Sequence, residues 1–299
     1  MILVRFTGGL GNQMFQYALG MQLAIKNGTE LKIDTTFLLD RTAPHEIVTH
    51  RELDIDIFQL NLQQASSTEI WNFNGRSYAH FPGKIYNRLT WLLYRKKKLI
   101  VEKQRRFQPE ILRTPDNRCL VGAWQSEKYF KDISDRVKAQ YTFKNVLSGK
   151  AFDLAQEISR GHSLCVNVRR GDYVTSPVYS KVLGAMPLGY FSDALTLMRT
   201  KQPIDHIFIF SDDIAWCQAN LRFDEKTTIV QHDVAGPKFS TYLQLMSLCK
   251  HFIIPNSSFG WWAAWLGADP DKTVVAPLNW FKDPSYDSTD LVPDEWLRI

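Results

Sequence analysis

The chain has 299 residues, a formal net charge of +5 at pH 7 and a hydrophobic fraction of 44%. This length predicts two domains, and the composition is that of an ordinary soluble globular protein. The mild positive charge suits an anionic small molecule or a membrane surface and is weak evidence for nucleic acid, so we expect no nucleic-acid partner. No run of about 18 apolar residues occurs, and no membrane-spanning helix is expected.

The four cysteines form no C-x-x-C pair, and three of them lie in apolar segments. We expect buried, reduced thiols and therefore a reducing compartment. The first residues carry no basic stretch, and no signal peptide is expected. These features predict a cytoplasmic protein.

The chain opens with a βαβ unit. Residues 2–6 predict a buried strand and residues 7–11 a glycine turn. The apolar spacing that follows predicts a largely buried helix, which ends at Gly28, where glycine commonly stops helices. Residues Leu31–Asp34 predict the second strand.

The stretch from 35 to 118 is less regular. It predicts a helix at 83–94, followed by the basic run of residues 95–98, Arg-Lys-Lys-Lys. We favour a solvated face for this run. The alternative is peripheral contact with anionic lipid on the inner face of the membrane, where each basic residue contributes about 1 kcal/mol. Residues 119–124 predict another strand.

From about residue 150 the strands and helices alternate. Strands are predicted at 163–168, 206–210, 227–231, 252–254 and 273–276, a loop at 171–186, and helices from Pro187, at 239–250 and at 261–266. This alternation is typical of a parallel sheet wrapped by helices. We place the domains at 1–150 and 151–299, and allow for the last helix packing back on the first domain.

Two adjacent arginines, Arg169 and Arg170, end the strand at 163–168 and precede Gly171 and Asp172. Open α/β sheets bind ligands at the carboxyl ends of their strands. Two guanidiniums at this place suit a diphosphate, because each planar fork can bond two oxygens. The alternative is a structural pair that bridges Asp172 to a neighbouring loop.

The glycine turn partly matches the dinucleotide fingerprint G-x-G-x-x-G. Gly9 and Gly11 supply two of the glycines, but Met14 stands at the third position. Asp34 is placed where a ribose-binding acid belongs, so an NAD-dependent oxidoreductase is a rival interpretation.

Two amides, Asn12 and Gln13, open the helix after this turn. Side-chain amides can hold sugar hydroxyls, or a nucleophilic hydroxyl, through paired donors and acceptors. The alternative is an asparagine helix cap with a solvated glutamine.

A second candidate site is the run Asn256-Ser257-Ser258-Phe259. Hydroxyls and free backbone amides at a helix start bind anions. Simple helix capping by Ser257 is compatible with this interpretation.

Carboxylates also follow the strand at 206–210. Asp212 can accept hydrogen bonds from guanine or ribose, and the alternative is a cap for the next helix. No histidines have ligand spacing, and we take the two D-x-D patterns at 54–56 and 269–271 as structural, so no metal is expected.

Together these segments resemble the bacterial α-1,2-fucosyltransferases, glycosyltransferases that use GDP-fucose. The resemblance is carried, in the family's order along nearly the whole chain, by residues 8–18, 122–130, 169–173, 210–213, 245–251, 256–259 and 261–265. Residues 167–173 depart from the family's H-x-R-R-G-D-Y motif at one position, because Asn167 replaces the histidine. Asn cannot take a proton near neutral pH, so chemistry here is expected not to need an imidazole.

The resemblance implies an α/β protein of two Rossmann-like domains facing across a cleft, the glycosyltransferase B-type fold. It implies metal-free, inverting transfer of fucose from GDP-β-L-fucose to the 2-hydroxyl of a terminal β-galactoside such as lactose. The N-terminal domain is then the acceptor side and the C-terminal domain the donor side. A nucleotide-sugar-binding protein without turnover is the runner-up, suggested by Asn167.

Residue roles follow from the same resemblance. Catalytic roles are expected for Asn12, Arg169, Arg170 and Asp172. Donor binding is expected for Gly11, Gln13, Asn167, Arg169, Arg170, Asp212, Asn256, Ser257, Ser258 and Phe259. The general base stays open between Asp172, Glu127 and Asp34.

Overall fold

The computed structural model describes residues 1–42, 50–74 and 98–299. The chain divides into two compact units, Met1–Thr142 and Phe143–Ile299, against a predicted boundary at residue 150. The helix predicted at 83–94 and residues 95–97 of the basic run lie outside the described residues. No helix in the described ranges is long and apolar enough to cross a membrane.

The first unit contains a parallel four-stranded sheet with the spatial order β2-β1-β4-β3. Its strands are β1 (Ile2–Arg5), β2 (Leu31–Asp34), β3 (Leu99–Val101) and β4 (Arg118–Val121). Its described α-helices are α1 (Leu10–Asn27), α2 (Ser67–Asn74) and α3 (Ser134–Gln140). The carboxyl ends of all four strands therefore lie at one edge of the sheet.

Helix α1 packs on this sheet as its apolar spacing predicts. Met14 and Phe15 are buried, and a Cβ on Gly20 of the helix would lie 2.5 Å from Val4 Cγ2 of β1. Gly28 ends the helix in the left-handed conformation, at φ 60°, which glycine adopts at little cost. The opening βαβ unit of the sequence is confirmed.

The second unit contains a six-stranded sheet with the order β10-β9-β8-β5-β6-β7, in which all pairs are parallel. Its strands are β5 (Ser163–Val168), β6 (His206–Ser211), β7 (Lys226–Ile229), β8 (His251–Ile253), β9 (Val274–Ala276) and β10 (Leu297–Arg298). Strand β5 lies centrally and all six of its residues are buried. The predicted strands are thus confirmed to within a few residues at each end.

The described helices of this unit are α4 (Gly149–Ser159), α5 (Gly171–Thr175), α6 (Pro177–Val182), α7 (Leu188–Arg199), α8 (Ile214–Asn220), α9 (Ser240–Ser247) and α10 (Ser258–Leu266). The prediction of a plain loop at 171–186 is wrong, because α5 and α6 occupy most of it. Pro177 stands in the first turn of α6, a position where proline is pre-organised for a helix. The chain ends in β10, paired with β9, rather than in a helix.

The core of the second unit lies between the sheet and helix α7. Val166, Ile209 and Ile253 pack with Phe191 and Leu195 in one buried cluster. The four cysteines are also buried and form no disulfide bond with one another, which confirms the prediction of buried thiols.

Candidate functional site

The order of the second sheet creates a topological switch point. From β5 the chain adds β6 and β7 on one side, and then returns to place β8 on the other side of β5. Ligands of open α/β sheets bind in the crevice that such a reversal opens at the carboxyl ends of the strands. Residues 169–172 follow β5 and residues 256–258 follow β8, so the structure brings together two of the predicted anion-binding segments. The Tyr173 hydroxyl joins them by donating to the Asn256 carbonyl at 3.1 Å.

Arg169 is held by two carboxylates. Its Nη2 lies 2.6 Å from Asp172 Oδ1, and its Nη1 lies 2.8 Å from Asp212 Oδ2. The second contact is ionic rather than a directed hydrogen bond, since Asp212 Oδ2 has no hydrogen-bond partner within the described part of the chain. Burial lowers the pKa of Arg169, but the carboxylates of Asp212 and Asp172 outweigh it and raise that pKa above its ordinary value. Arg169 therefore matches the structural bridge that the sequence left open.

Arg170 is placed differently. Its backbone N–H donates to Asp212 Oδ1 at 2.8 Å, and its Nε donates to Asp213 Oδ2 at 3.1 Å. The guanidinium lies over the Trp216 ring, 4.2 Å from the ring centroid, in a cation–π contact that fixes its plane. Neither of its terminal nitrogens has a partner among the described residues. These two nitrogens form an open fork of the kind that binds phosphate oxygens.

Charge alone does not make this crevice an anion site, because three carboxylates accompany the two guanidiniums. The start of α10 supplies further donors. Ser257 is its N-cap residue, yet the Ser257 side chain makes no capping hydrogen bond, so the capping alternative is wrong for this hydroxyl. Ser258 and Phe259 occupy the first turn, where backbone N–H groups lack helical acceptors and the helix dipole favours negative charge.

Asn256 anchors the turn before α10. It is 2% exposed, and its Nδ2 lies within hydrogen-bond distance of the carbonyls of Leu183, Gly184 and Trp280, at 3.0, 3.1 and 3.1 Å. Its Oδ1 is buried and has no partner among the described residues. Asn256 thus positions the Ser257–Ser258 donors, and the only part of it that is left for a ligand is this oxygen.

Asn167 is also buried, at 7% exposure. Its Nδ2 donates to the Phe210 carbonyl of β6 at 3.1 Å. A Cβ on Gly260 would lie 2.6 Å from Asn167 Oδ1, so the amide packs directly against the backbone of α10. Asn167 therefore joins β5 and β6 to the helix whose first turn supplies the donors.

Asp212 and Asp213 divide two tasks. Both oxygens of Asp212 face the arginine turn, Oδ1 accepting the Arg170 N–H and the buried Oδ2 lying 2.8 Å from Arg169 Nη1, so neither faces the predicted guanine or ribose. Asp213 caps α8, since its Oδ1 accepts the Trp216 N–H at 3.0 Å, as the capping alternative predicts. Asp212 is thus a residue that holds the arginines, and we no longer assign it to the nucleoside.

In the first unit, Gln13 has no hydrogen-bonding capacity to spare. It is fully buried; its Nε2 donates to the carbonyls of Gly8 and Glu52 at 3.0 and 2.8 Å. Its Oε1 accepts the N–H groups of Asp54 and Ile55 at 2.9 and 3.1 Å. Two donors and two lone pairs are thereby used, so Gln13 holds the turn and we withdraw it as a ligand contact. Gly11, the second residue of α1, is buried as well.

Asn12 lies at the third position of α1, where Gly9 is the N-cap residue, so the asparagine-cap alternative is wrong. Its Oδ1 accepts a hydrogen bond from Gln125 Nε2 at 2.8 Å. Gly8 has φ +75°, and a Cβ there would lie 2.2 Å from Asn12 Nδ2. The glycine turn is therefore shaped to admit the Asn12 amide rather than a pyrophosphate.

The three candidate bases lie in different surroundings. Asp34 is fully buried and its oxygens accept from Arg5 Nε, at 2.9 Å, and from Thr36. It can neither take a substrate proton nor bind a ribose, which contradicts its role in the NAD interpretation. Glu127 opens a short 3-10 turn near Lys131, 3.9 Å away. Asp172 is the candidate that lies in the crevice of the second unit.

The sequence did not predict the roles of two residues of the crevice. Trp216 carries the Arg170 guanidinium, and nothing in the sequence distinguishes it from a core tryptophan. Tyr173 belongs to the arginine motif, but its bond to the Asn256 carbonyl depends on the pairing of β5 with β8. Among the described residues, no group of three or more His, Cys, Asp or Glu side chains is placed to hold a metal ion.

Comparison with known proteins gives the family. Residues 105–299 match the family model described as Glycosyl transferase family 11. The chain belongs to glycosyltransferase family 11. This membership confirms the predicted resemblance and excludes the NAD-dependent oxidoreductase.

Two bacterial relatives are similar to this family 11 protein over nearly its whole length. It is 30% identical to an alpha-1,2-colitosyltransferase of Escherichia coli, over 100% of this chain and 98% of the relative. It is 27% identical to the O-antigen biosynthesis glycosyltransferase WbnK of Escherichia coli, over 98% of both chains. It is 25% identical to galactoside alpha-(1,2)-fucosyltransferase 2 of Pongo pygmaeus, over 87% of this chain and 67% of that one. The solved fucosyltransferase NodZ from Bradyrhizobium aligns with a TM-score of 0.47 and 16% identity, over 88% and 90% of the two chains.

Proposed function

We propose that this family 11 glycosyltransferase transfers L-fucose from GDP-β-L-fucose to the 2-hydroxyl of a terminal β-galactoside, forming an α-1,2 linkage. The observation that carries the proposal is the hydrogen bond from the Tyr173 hydroxyl to the Asn256 carbonyl, which joins the turn of Arg169 and Arg170 to the segment before α10 at the switch point of the second sheet. Relatives named as alpha-1,2-colitosyl and alpha-(1,2)-fucosyl transferases support the linkage.

The diphosphate of GDP is the group that this crevice suits best. The free nitrogens of Arg170 would bond its oxygens, and the Ser257 and Ser258 hydroxyls with the Phe259 N–H would bond others. Donors fixed in advance stabilise the negative charge that develops on the departing diphosphate. No metal is part of the proposal, in which Arg170 and these hydrogen-bond donors stabilise the departing diphosphate.

A β-linked donor that gives an α-linked product requires inversion at the anomeric carbon, and therefore a single displacement. The acceptor hydroxyl loses a proton in this step, and Asp172 is our candidate to receive it. The acceptor oxygen forms a bond to the anomeric carbon of fucose as the bond from that carbon to the β-phosphate oxygen breaks, and GDP leaves. The B-type arrangement, with the two units facing across a cleft, and the peripheral membrane contact of residues 95–98 stay predictions.

The test is to incubate the protein with GDP-fucose and lactose and to identify the product by mass spectrometry and NMR. The proposal expects 2′-fucosyllactose with an α-anomeric proton. A parallel reaction with GDP-colitose, whose sugar is fucose without the 3-hydroxyl, decides the donor sugar. GDP binding without any product across β-galactosides would replace the proposal with the binding-protein alternative.

A further inference from the structure

The first sheet has a switch point of its own. From β1 the chain adds β2 on one side, and β4 lies on the other side of β1. Asn12 follows the glycine turn after β1, and Gln125 follows β4. Their side chains meet through the hydrogen bond from Gln125 Nε2 to Asn12 Oδ1. A polar pair therefore stands where a sheet of this topology binds ligands.

This amide pair has unused hydrogen-bonding capacity. Asn12 Nδ2 and Gln125 Oε1 have no partner among the described residues, and both side chains are half-buried. One is a donor and the other an acceptor. A hydroxyl group both donates and accepts, so Asn12 Nδ2 can donate a hydrogen bond to a sugar hydroxyl and Gln125 Oε1 can accept one from it. Gln13, next to Asn12, offers none.

Trp124, the residue before Gln125, has a strained backbone conformation. Trp124 has φ 55°, which is a genuine outlier for a bulky side chain. It is fully buried, and its indole Nε1 has no partner in the described part of the chain. Backbone strain of this kind costs about 1–3 kcal/mol and persists only where the surrounding structure enforces it.

Glu102, directly after β3, holds Trp124 in this conformation. Its Oε2 accepts the Ala123 N–H at 2.8 Å and its Oε1 accepts the Trp124 N–H at 3.0 Å. The side chain is 7% exposed. A Cβ on Gly122 would lie 2.4 Å from Glu102 Cβ, so the carboxylate reaches these amides only because residue 122 is glycine.

A second lock holds the same segment to the glycine turn. Gln16 Nε2 lies 2.9 Å from the Gly122 carbonyl and 2.8 Å from Thr7 Oγ1. The turn that carries Asn12 and the segment that carries Gln125 are thus fixed to one another before any ligand arrives. Such pre-organisation is what a binding site gains from rigid support.

We propose that Asn12 and Gln125 together bind a hydroxyl of the acceptor sugar, and that Glu102 is a positioning residue that holds Gln125 in place through the strained Trp124. The ligand class is a neutral glycoside bound through its hydroxyls. This inference rests on the proposed function and identifies where its acceptor binds.

The experiment measures the KM for the acceptor and the KM for the donor separately in three test variants and one control variant. Gln125→Ala removes the free acceptor, and we expect the KM for lactose to rise about five- to tenfold, the range for one hydrogen bond, with the KM for GDP-fucose unchanged. Glu102→Gln turns an amide N–H toward a backbone N–H, and the same rise is expected; Glu102→Asp keeps the carboxylate and should recover part of the loss. Glu110→Gln, on an exposed 3-10 turn of the same unit, is the matched control and should leave both constants unchanged.

Hydrolysis of GDP-fucose without acceptor should persist in every variant. If Gln125→Ala leaves the lactose KM unchanged, or raises both constants equally, the inference is overturned. Calorimetric titration of lactose into the GDP-bound protein separates the two proposals. Lactose binding that weakens in Gln125→Ala while no product forms would retain the inference and refute the proposed function; equal binding by wild type and variant would refute the inference.

Discussion

Asp212 receives the backbone N–H of Arg170 on its Oδ1 at 2.8 Å, across the pair of strands β5 and β6. Its other oxygen faces Arg169, and a Cβ on Gly171 would lie 2.5 Å from it. The carboxylate therefore fits against the turn only because glycine follows the two arginines. Oδ1 thus holds the backbone of Arg170 while Oδ2 holds the side chain of Arg169, which separates the roles of the two arginines.

Arg169 should matter mainly for stability. Arg169→Ala leaves the carboxylates of Asp172 and Asp212 facing each other without a cation, and we expect the free energy of unfolding to fall by about 1–3 kcal/mol, less than for a fully buried pair. Urea unfolding measures it. The matched control is Arg199→Ala, which removes an ion pair with Glu225 on a more exposed side chain and should cost about 0–1 kcal/mol. Equal losses in the two variants would contradict the account.

Gly260 sets how close α10 lies to Asn167. Gly260→Ala places a methyl 2.6 Å from Asn167 Oδ1, so either the Asn167 amide or the start of the helix must shift. We expect a loss of about 1–3 kcal/mol in stability together with weaker GDP binding, both measured by calorimetry. Gly189→Ala is the control, because no atom lies within 4 Å of its Cβ position. Unchanged GDP affinity in the Gly260→Ala protein would contradict the proposal that the start of α10 binds the donor.

Asn167→His restores the family's usual residue. Since Asn167 is buried and serves packing, the imidazole should not accelerate transfer, and crowding against Gly260 should slow it. The pH–rate profile between about pH 5.5 and 8.5 is the measurement. A histidine that acted as a base would add a transition near its usual pKa of about 6.5. A rate gain of about tenfold or more with such a transition would show that chemistry at this position needs a proton acceptor.

The thiols should be inert in the folded protein. Burial raises the pKa of Cys119 to about 12 and that of Cys217 to about 11, and the thiolate is the reactive form. Treatment with a disulfide reagent at about pH 8 should label none of the four native cysteines and all of them in denaturant. Rapid labelling of the native protein would refute the burial of these side chains.

The sequence predicted eight of the ten described strands, because these are apolar and bounded by glycine or polar turns, and it missed β3 and β10. It also placed Arg170 and Ser257 at strand ends, which parallel pairing brings to one edge. It could not reveal which carboxylate each arginine would meet. That choice depends on the neighbour relations β5–β6 and β5–β8, and on contacts as specific as Trp216 beneath Arg170.

The candidate site residues of the first unit were harder to predict for a different physical reason. Asn12 and Gln13 are both amides in one turn of helix, and the sequence does not show which of them is available to bind a ligand. Burial separates them, because Gln13 faces the segment at 52–55 and Asn12 faces Gln125, 113 positions along the chain. Asp34 likewise matches a ribose acid by position and is occupied by Arg5. Partners so distant in sequence are set by the fold.

The central claim is that Arg170 carries the donor diphosphate of an α-1,2-transferase. It is tested most directly by the initial rate of 2′-fucosyllactose formation from GDP-fucose and lactose in the wild type and in Arg170→Ala. Losing charge-assisted hydrogen bonds worth about 1.5–3 kcal/mol predicts a kcat/KM about 10–150 times lower, with Arg170→Lys in between and the unfolding midpoint little changed. An Arg170→Ala enzyme within about twofold of the wild-type rate would contradict the account.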